Sequence, residues 1–330
     1  GATLDFNLLP RWMRKAHCYD LDRDWETFAS FLLSAKKDNR VPFMAPDLPD
    51  NCIERPAQFE PLLLRFLDES GENPQFVITA LHGPGGFGKT TLAGILCHQE
   101  NIISAFDDGI LWVSLGETPN IQGELTKLYA ALTGERPPFV DADDAAIQLA
   151  ERLEQKNCLL VVDDVWDSNH LKPFMRGGSQ CARLITTRQL SIVTEIAASR
   201  TVVDKMTEDE AVRMLTARIR YSPDDLSKLK ALSERLGNWP LLLKLAGSQL
   251  RERMERGDSL DGALTYIGRV MDKRGVIAFD RVAPSTRNDA IASTVAASLE
   301  LFSTEDQVRY TELSVFRNDV LVPLRAASAL

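Results

Sequence analysis

Short runs of consecutive apolar residues recur through the middle of the chain, separated by stretches with helical periodicity. The runs are FVITAL (76–81), GILWVSL (109–115), CLLVVDD (158–164), ARLITTR (182–188) and RTVVDK (200–205). Unbroken hydrophobicity, rather than alternation, marks strands buried on both faces and predicts a parallel sheet between layers of helices. Helices are expected at 89–99, 120–133 and 143–156. Right-handed crossovers then gather the loops at the strands' carboxyl ends on one edge, where ligands bind.

The flanks read differently. Residues 1–40 are mostly helical in pattern, with Trp25, Phe28, Phe31 and Leu32 on one face. In the stretch 41–50 Pro42, Pro46 and Pro49 break regular structure and predict a semi-rigid linker. A helix is expected over 57–69. After residue 205 the pattern is wholly helical: Thr207 and Glu210 form a capping box, Ser222 and Pro223 open a second helix, and Gly237 stops it. This helical unit is expected over 206–283, with a further helical unit from 284 that is cut off at 330. The absence of an initial methionine and the stop within a pattern read as a piece of a longer chain.

Charge narrows the function. With 38 basic against 47 acidic residues, the net charge of −9 offers little attraction to nucleic acid or an anionic membrane surface. No apolar stretch approaches the ~18 residues needed to span a bilayer. Five scattered cysteines, without a C-x-x-C pair, suit a reducing cytoplasm. Cys97, Cys158 and Cys181 sit in apolar runs and are expected to be buried thiols.

The chemistry lies in GPGGFGKTT, Gly83–Thr91, which follows a predicted strand and opens a predicted helix. This is the P-loop pattern, and each part has a reason. Gly83, Gly85, Gly86 and Gly88, with Phe87 between them, let successive backbone N–H groups turn onto phosphate oxygens where a Cβ would clash. The helix N-terminus, with Thr91 in its first turn, adds positive potential. Lys89 supplies a point charge for the β- and γ-phosphates of ATP, or the β-phosphate of ADP, and the Thr90 hydroxyl is a Mg2+ ligand. At the end of CLLVVDD, Asp163 is placed to hold magnesium and Asp164 to polarise the attacking water; Asp167 reads as a helix cap. ARLITTR ends with Thr186, Thr187 and Arg188, and an arginine there can reach the γ-phosphate. GNWPLLLKLAG, by contrast, reads from its residues only as a turn between helices ahead of a buried leucine run.

Taken in order, GPGGFGKTTLA, LLVVDDVW, ARLITTR and GNWPLLLKLAG resemble the NB-ARC family within the STAND class of signalling ATPases. The fourth motif departs from the family's G-L-P-L by carrying Asn238 and Trp239. The resemblance implies an α/β P-loop NTPase domain over 51–205, then the helical domain, then the truncated start of a winged-helix domain from SLELFSTEDQVRYTELSVF onward. It also implies that Pro240 packs on the nucleotide, and that Ile53 and Arg55 in CIERPAQF line the adenine site. Residues 1–40 are similar to the end of a TIR domain, through Leu9-Pro10, Trp12 and the Trp25-x-x-Phe28 pattern. The family histidine that senses ADP would lie beyond Leu330.

The expected function is therefore a regulatory switch in defence or cell-death-type signalling. ADP holds the resting form, ATP favours opening and self-association, and slow hydrolysis resets it. The trigger would act through a sensor domain absent from this sequence. The alternative is a P-loop ATPase whose fast turnover does work, as in a remodelling motor or kinase-like enzyme.

Overall fold

The computed structural model describes residues 41–50, 52–67, 77–196, 199–217, 219, 226–274, 304–305 and 308. Residues 1–40, expected to be the end of a TIR domain, the Ser222–Pro223 helix start and nearly all of the expected winged-helix segment lie outside the described residues. The chain divides into two compact units. Among the described residues, one takes 41–48, Ala57–Leu81 and Thr90–Thr201; the other takes Pro49–Pro56, His82–Lys89 and those from Val202 onward.

The first unit is built on five strands: β1 (Ile78–His82), β2 (Gly109–Gly116), β3 (Cys158–Val165), β4 (Ala182–Thr187) and β5 (Ser199–Val202). Their order in the sheet is β2-β3-β4-β1-β5, and β2/β3 and β3/β4 pair in parallel. Every residue of β4 is buried, and so is every residue of β3 except Asp164. That is the outcome expected of apolar runs covered on both faces. β5 differs from the sequence expectation, because it forms the sheet edge and three of its four residues are exposed. The β3/β4 register shifts between Val162 and Val165, so the two aspartates fall on an irregularity rather than on the regular ladder.

Helices α1 (Pro56–Phe66), α2 (Lys89–Cys97), α3 (Glu100–Ala105), α4 (Ile121–Thr133), α5 (Ala142–Leu153), α6 (Ser168–Leu171) and α7 (Leu190–Glu195) accompany the strands. Local chemistry sets their ends. The Asn120 side chain accepts from the Gly123 N–H at the start of α4, and Gly134 ends it with φ +76°. Asp141 accepts from two first-turn amides of α5. Asp167 caps α6, as its sequence position suggested. Leu125, Leu128, Leu149, Val162 and Ile185 are among the core residues between the sheet and α4 and α5.

The proline-rich stretch is not a free spacer. The Ile110 N–H donates to Pro42 O and the Met44 N–H to Ile110 O, each at 2.8 Å, so Phe43 pairs in parallel beside β2. Proline lacks an N–H but keeps its acceptor, which allows it at a sheet edge.

The helical unit holds α8 (Glu208–Thr216), α9 (Ser227–Arg235), α10 (Pro240–Glu255) and α11 (Leu260–Arg274). Both halves of the Thr207–Glu210 capping box are formed. After α9 the Asn238 N–H bonds to Ser233 O and the Gly237 N–H to Glu234 O, a Schellman motif. Gly237 and Asn238 both take positive φ, +63° and +51°, and Pro240 then starts α10 at its first position. Leu215, Leu229, Leu232, Leu243, Leu250 and Ile267 form its core. Among the described residues no helix is long and apolar enough to cross a membrane.

Candidate functional site

The loop between β1 and α2 carries the GPGGFGK residues. Gly86 and Gly88 take φ of +73° and +92°, which an L side chain resists. Gly83 is required for a different reason. A Cβ there would lie 2.3 Å from Val203 O, a backbone atom that cannot move aside. Lys89 is buried, and its Nζ donates to Gly83 O at 2.7 Å and Pro84 O at 2.8 Å. The ammonium therefore sits inside the curve of the loop.

Donors from distant parts of the chain hold the loop's outer side. The Trp239 indole N–H donates to Gly85 O at 3.1 Å, and the Leu241 N–H to Gly86 O at 3.2 Å. The ring of Trp239 lies 6.0 Å from that of Phe87. Arg55 is buried; its guanidinium donates to Phe87 O at 3.1 Å, Asp204 O at 2.7 Å and Lys205 O at 2.8 Å, and it meets the Glu210 carboxylate at 3.4 Å. Burial lowers its pKa, and Glu210 offsets part of that effect. Arg55 thus acts as a tie for the loop. Ile53 is half-buried against the helical core, and Pro240 is buried at the start of α10.

Thr90, the residue after Lys89, donates from Oγ1 to Asp163 Oδ1 at 2.8 Å. Thr186 Oγ1 donates to the same oxygen at 2.6 Å, and Ser114 Oγ to Oδ2 at 3.3 Å. Asp163 is buried, which raises its pKa above the usual carboxylate range; the Thr186 and Thr90 hydroxyls offset part of that. Asp164 has φ +53°, and its N–H donates to Thr186 Oγ1 at 2.9 Å. Arg188 lies with its guanidinium 4.9 Å from the Trp166 ring centroid, a cation–π stack. Thr91 is half-buried in the first turn of α2.

The structure therefore brings Thr90, Asp163 and Asp164 to one place, and joins Arg55 to the Phe87 carbonyl. It sets Arg188 on Trp166. Sequence reasoning placed Thr186 on the site's edge without a role, and did not single out Trp239, Leu241, Glu210 or Ser114 for any part in the site. Ser114 was findable in principle, since it stands opposite Asp163 in the β2/β3 register. The Trp239 contact joins residues 154 positions apart, and nothing local announces it.

Known proteins share parts of this sequence and of this fold. Residues 61–223, just under half of the chain, match the NB-ARC domain. The zebrafish (Danio rerio) apoptotic protease-activating factor 1 is 26% identical over 303 residues, covering 86% of this chain and 23% of that protein. A putative disease resistance RPP13-like protein 1 of Arabidopsis thaliana is 30% identical over 145 residues, 41% of this chain and 14% of its own length. The chain thus spans less than a quarter of these relatives. A solved structure of the Drosophila ORC bound to DNA superposes with TM-score 0.50 at 12% identity, over 96% of this chain and 79% of that one, a likeness of fold alone. The five-stranded sheet flanked by helices is the P-loop NTPase fold, and residues 61–223 are similar to the NB-ARC domain.

Proposed function

We propose that the chain binds ADP and ATP on the Gly83–Thr91 loop and serves as a nucleotide-dependent signalling switch. One observation carries the reading: a loop whose glycines take left-handed φ and whose buried Lys89 lies inside its curve leads directly into Thr90, bonded to the buried Asp163. The donor set of Thr90 hydroxyl and Asp163 carboxylate is all oxygen, which fits a hard divalent cation. Magnesium, when bound, neutralises charge between the β- and γ-phosphates. Thr90 and Asp163 would hold it, Asp164 would orient the attacking water, and Arg188 would leave Trp166 to meet a γ-phosphate. Pro240 would pack on the nucleotide, and Ile53 and Arg55 would stand near its base.

On this reading ADP stabilises a resting form, and ATP favours an opened form that self-associates. A ligand can shift such an equilibrium only through differential affinity for the two forms, and the γ-phosphate contact of Arg188 is where that difference would arise. The similarity to an apoptotic factor and a plant resistance protein supports signalling in cell death or defence. A trigger would act through a segment outside this sequence, and a cytoplasmic setting fits the free thiols at Cys97, Cys158 and Cys181. The net charge of −9 does not favour nucleic acid as a partner.

The test is turnover against association state, measured with ADP and with a non-hydrolysable ATP analogue. The switch predicts slow hydrolysis and association with the analogue only. Steady turnover on the order of 1–100 per second, independent of association, would instead favour a work-performing ATPase. Asp164→Ala should slow turnover while leaving binding largely intact.

A further inference from the structure

The carbonyls of five consecutive loop residues each face a donor. Lys89 Nζ holds those of Gly83 and Pro84, the Trp239 indole that of Gly85, the Leu241 N–H that of Gly86, and Arg55 that of Phe87. The peptide bonds of the described residues are all trans. In a planar trans peptide the N–H of the following residue points away from the carbonyl. Fixing the Gly85 carbonyl therefore fixes the direction of the Gly86 N–H. Fixing Gly86 and Phe87 carbonyls fixes the N–H groups of Phe87 and Gly88 in the same way. The φ values of Gly86 and Gly88 supply the left-handed steps by which successive amides form an anion-binding concavity.

We propose that Trp239 is a positioning residue for phosphate binding, acting through the Gly85–Gly86 peptide. Its indole N–H orients that peptide so that the loop's amides are set for a phosphate chain before one arrives. This rests on the reading of Gly83–Thr91 as a nucleotide loop, and goes beyond it by assigning part of the phosphate affinity to the turn that opens α10.

Three observations support the assignment. Trp239 is itself held, because its backbone N–H bonds to Leu236 O at 3.2 Å and its side chain packs on the helical core. Loop and indole fit closely: a Cβ on Gly86 would lie 2.7 Å from Trp239 Nε1 and 2.9 Å from Leu241 Cβ. An aliphatic residue in place of Trp239 could pack there but has no donor for Gly85 O. Preorganisation of this kind raises affinity by removing the ordering that binding would otherwise require.

The experiment compares wild type and Trp239→Phe, titrating ADP directly and adenosine by competition. Phenylalanine keeps an aromatic ring beside Phe87 and removes the N–H together with the five-membered ring that carries it, a packing loss that the adenosine titration reads separately. ADP affinity should fall about five- to ten-fold, as for loss of one net hydrogen bond, with adenosine affinity changed less than about two-fold. Equal ADP binding by the two proteins overturns the inference. So does an equal loss for adenosine, which would place the effect on the fold or the base. A second reading needs no substitution: the Trp239 indole N–H resonance of the wild type should shift on addition of ADP or pyrophosphate and not of adenosine. An indole signal that ignores ADP overturns the inference as well. A wild type that binds no ADP at all overturns the nucleotide reading beneath it instead.

Discussion

Thr186 is bonded to Asp163 through the shortest side-chain hydrogen bond of the aspartate's environment, Oγ1 to Oδ1 at 2.6 Å. The same hydroxyl accepts the Asp164 N–H at 2.9 Å. One buried oxygen thus holds the first aspartate by its side chain and the second by its backbone, where φ is +53°. A non-glycine residue keeps such a conformation only when its surroundings determine it.

Thr186→Val keeps the shape and removes both bonds, leaving the Asp164 N–H and one Asp163 bond unmade. It should destabilise the chain by about 1–3 kcal/mol, read as a lower urea midpoint. Thr186→Ser retains the hydroxyl and should stay close to wild type.

Arg55 should be harder to replace. Its guanidinium meets three backbone carbonyls and the Glu210 carboxylate in a buried setting. Arg55→Met strands these groups and should cost about 3–5 kcal/mol in urea unfolding. Arg55→Lys should recover little, because a single ammonium cannot reproduce the planar fork.

The loop glycines separate two kinds of constraint. Gly88 has nothing within 4 Å of a built Cβ, but its φ is +92°. Gly88→Ala should therefore cost about 1–2 kcal/mol from backbone strain alone. Gly83→Ala places a Cβ 2.3 Å from Val203 O and should be clearly the worse of the two in the same urea comparison.

Cys97, at the end of α2, is fully buried, and burial pushes its thiol up to about 12. Between the ordinary thiol value of 9.0 and about 12 the unfolded chain holds fewer protons at this site than the folded chain. Stability should accordingly fall as pH rises through that window, by up to ~1.4 kcal/mol per unit from this group. Removing the thiol in Cys97→Ala should flatten that part of the pH profile. At pH 8 the half-buried Cys52 should be alkylated before Cys97, as peptide mass spectrometry can follow.

What could be read from the sequence was what local chemistry determines. The strands at Cys158–Val165 and Ala182–Thr187, the Thr207–Glu210 box and the Gly237 stop all follow from periodicity or capping within a few residues. The loop glycines and Lys89 were legible because phosphate binding demands that spacing. The rest depends on tertiary contact. Pro42 beside Ile110, Arg55 on Phe87 and Lys205, and Trp239 on Gly85 join residues far apart in the chain. The exposure of β5 follows from its place at the sheet edge, which its apolar residues alone do not reveal.

The central claim is that Gly83–Thr91 holds a nucleotide. Its most direct test is the nucleotide content of protein purified without denaturation, beside that of Lys89→Ala. Lys89 is the buried cation of the loop, and its loss should remove phosphate affinity without unfolding the chain. The account predicts stoichiometric ADP in the wild type and none in Lys89→Ala. A wild type that carries no nucleotide, and takes up neither ADP nor ATP when supplied with magnesium, would contradict it.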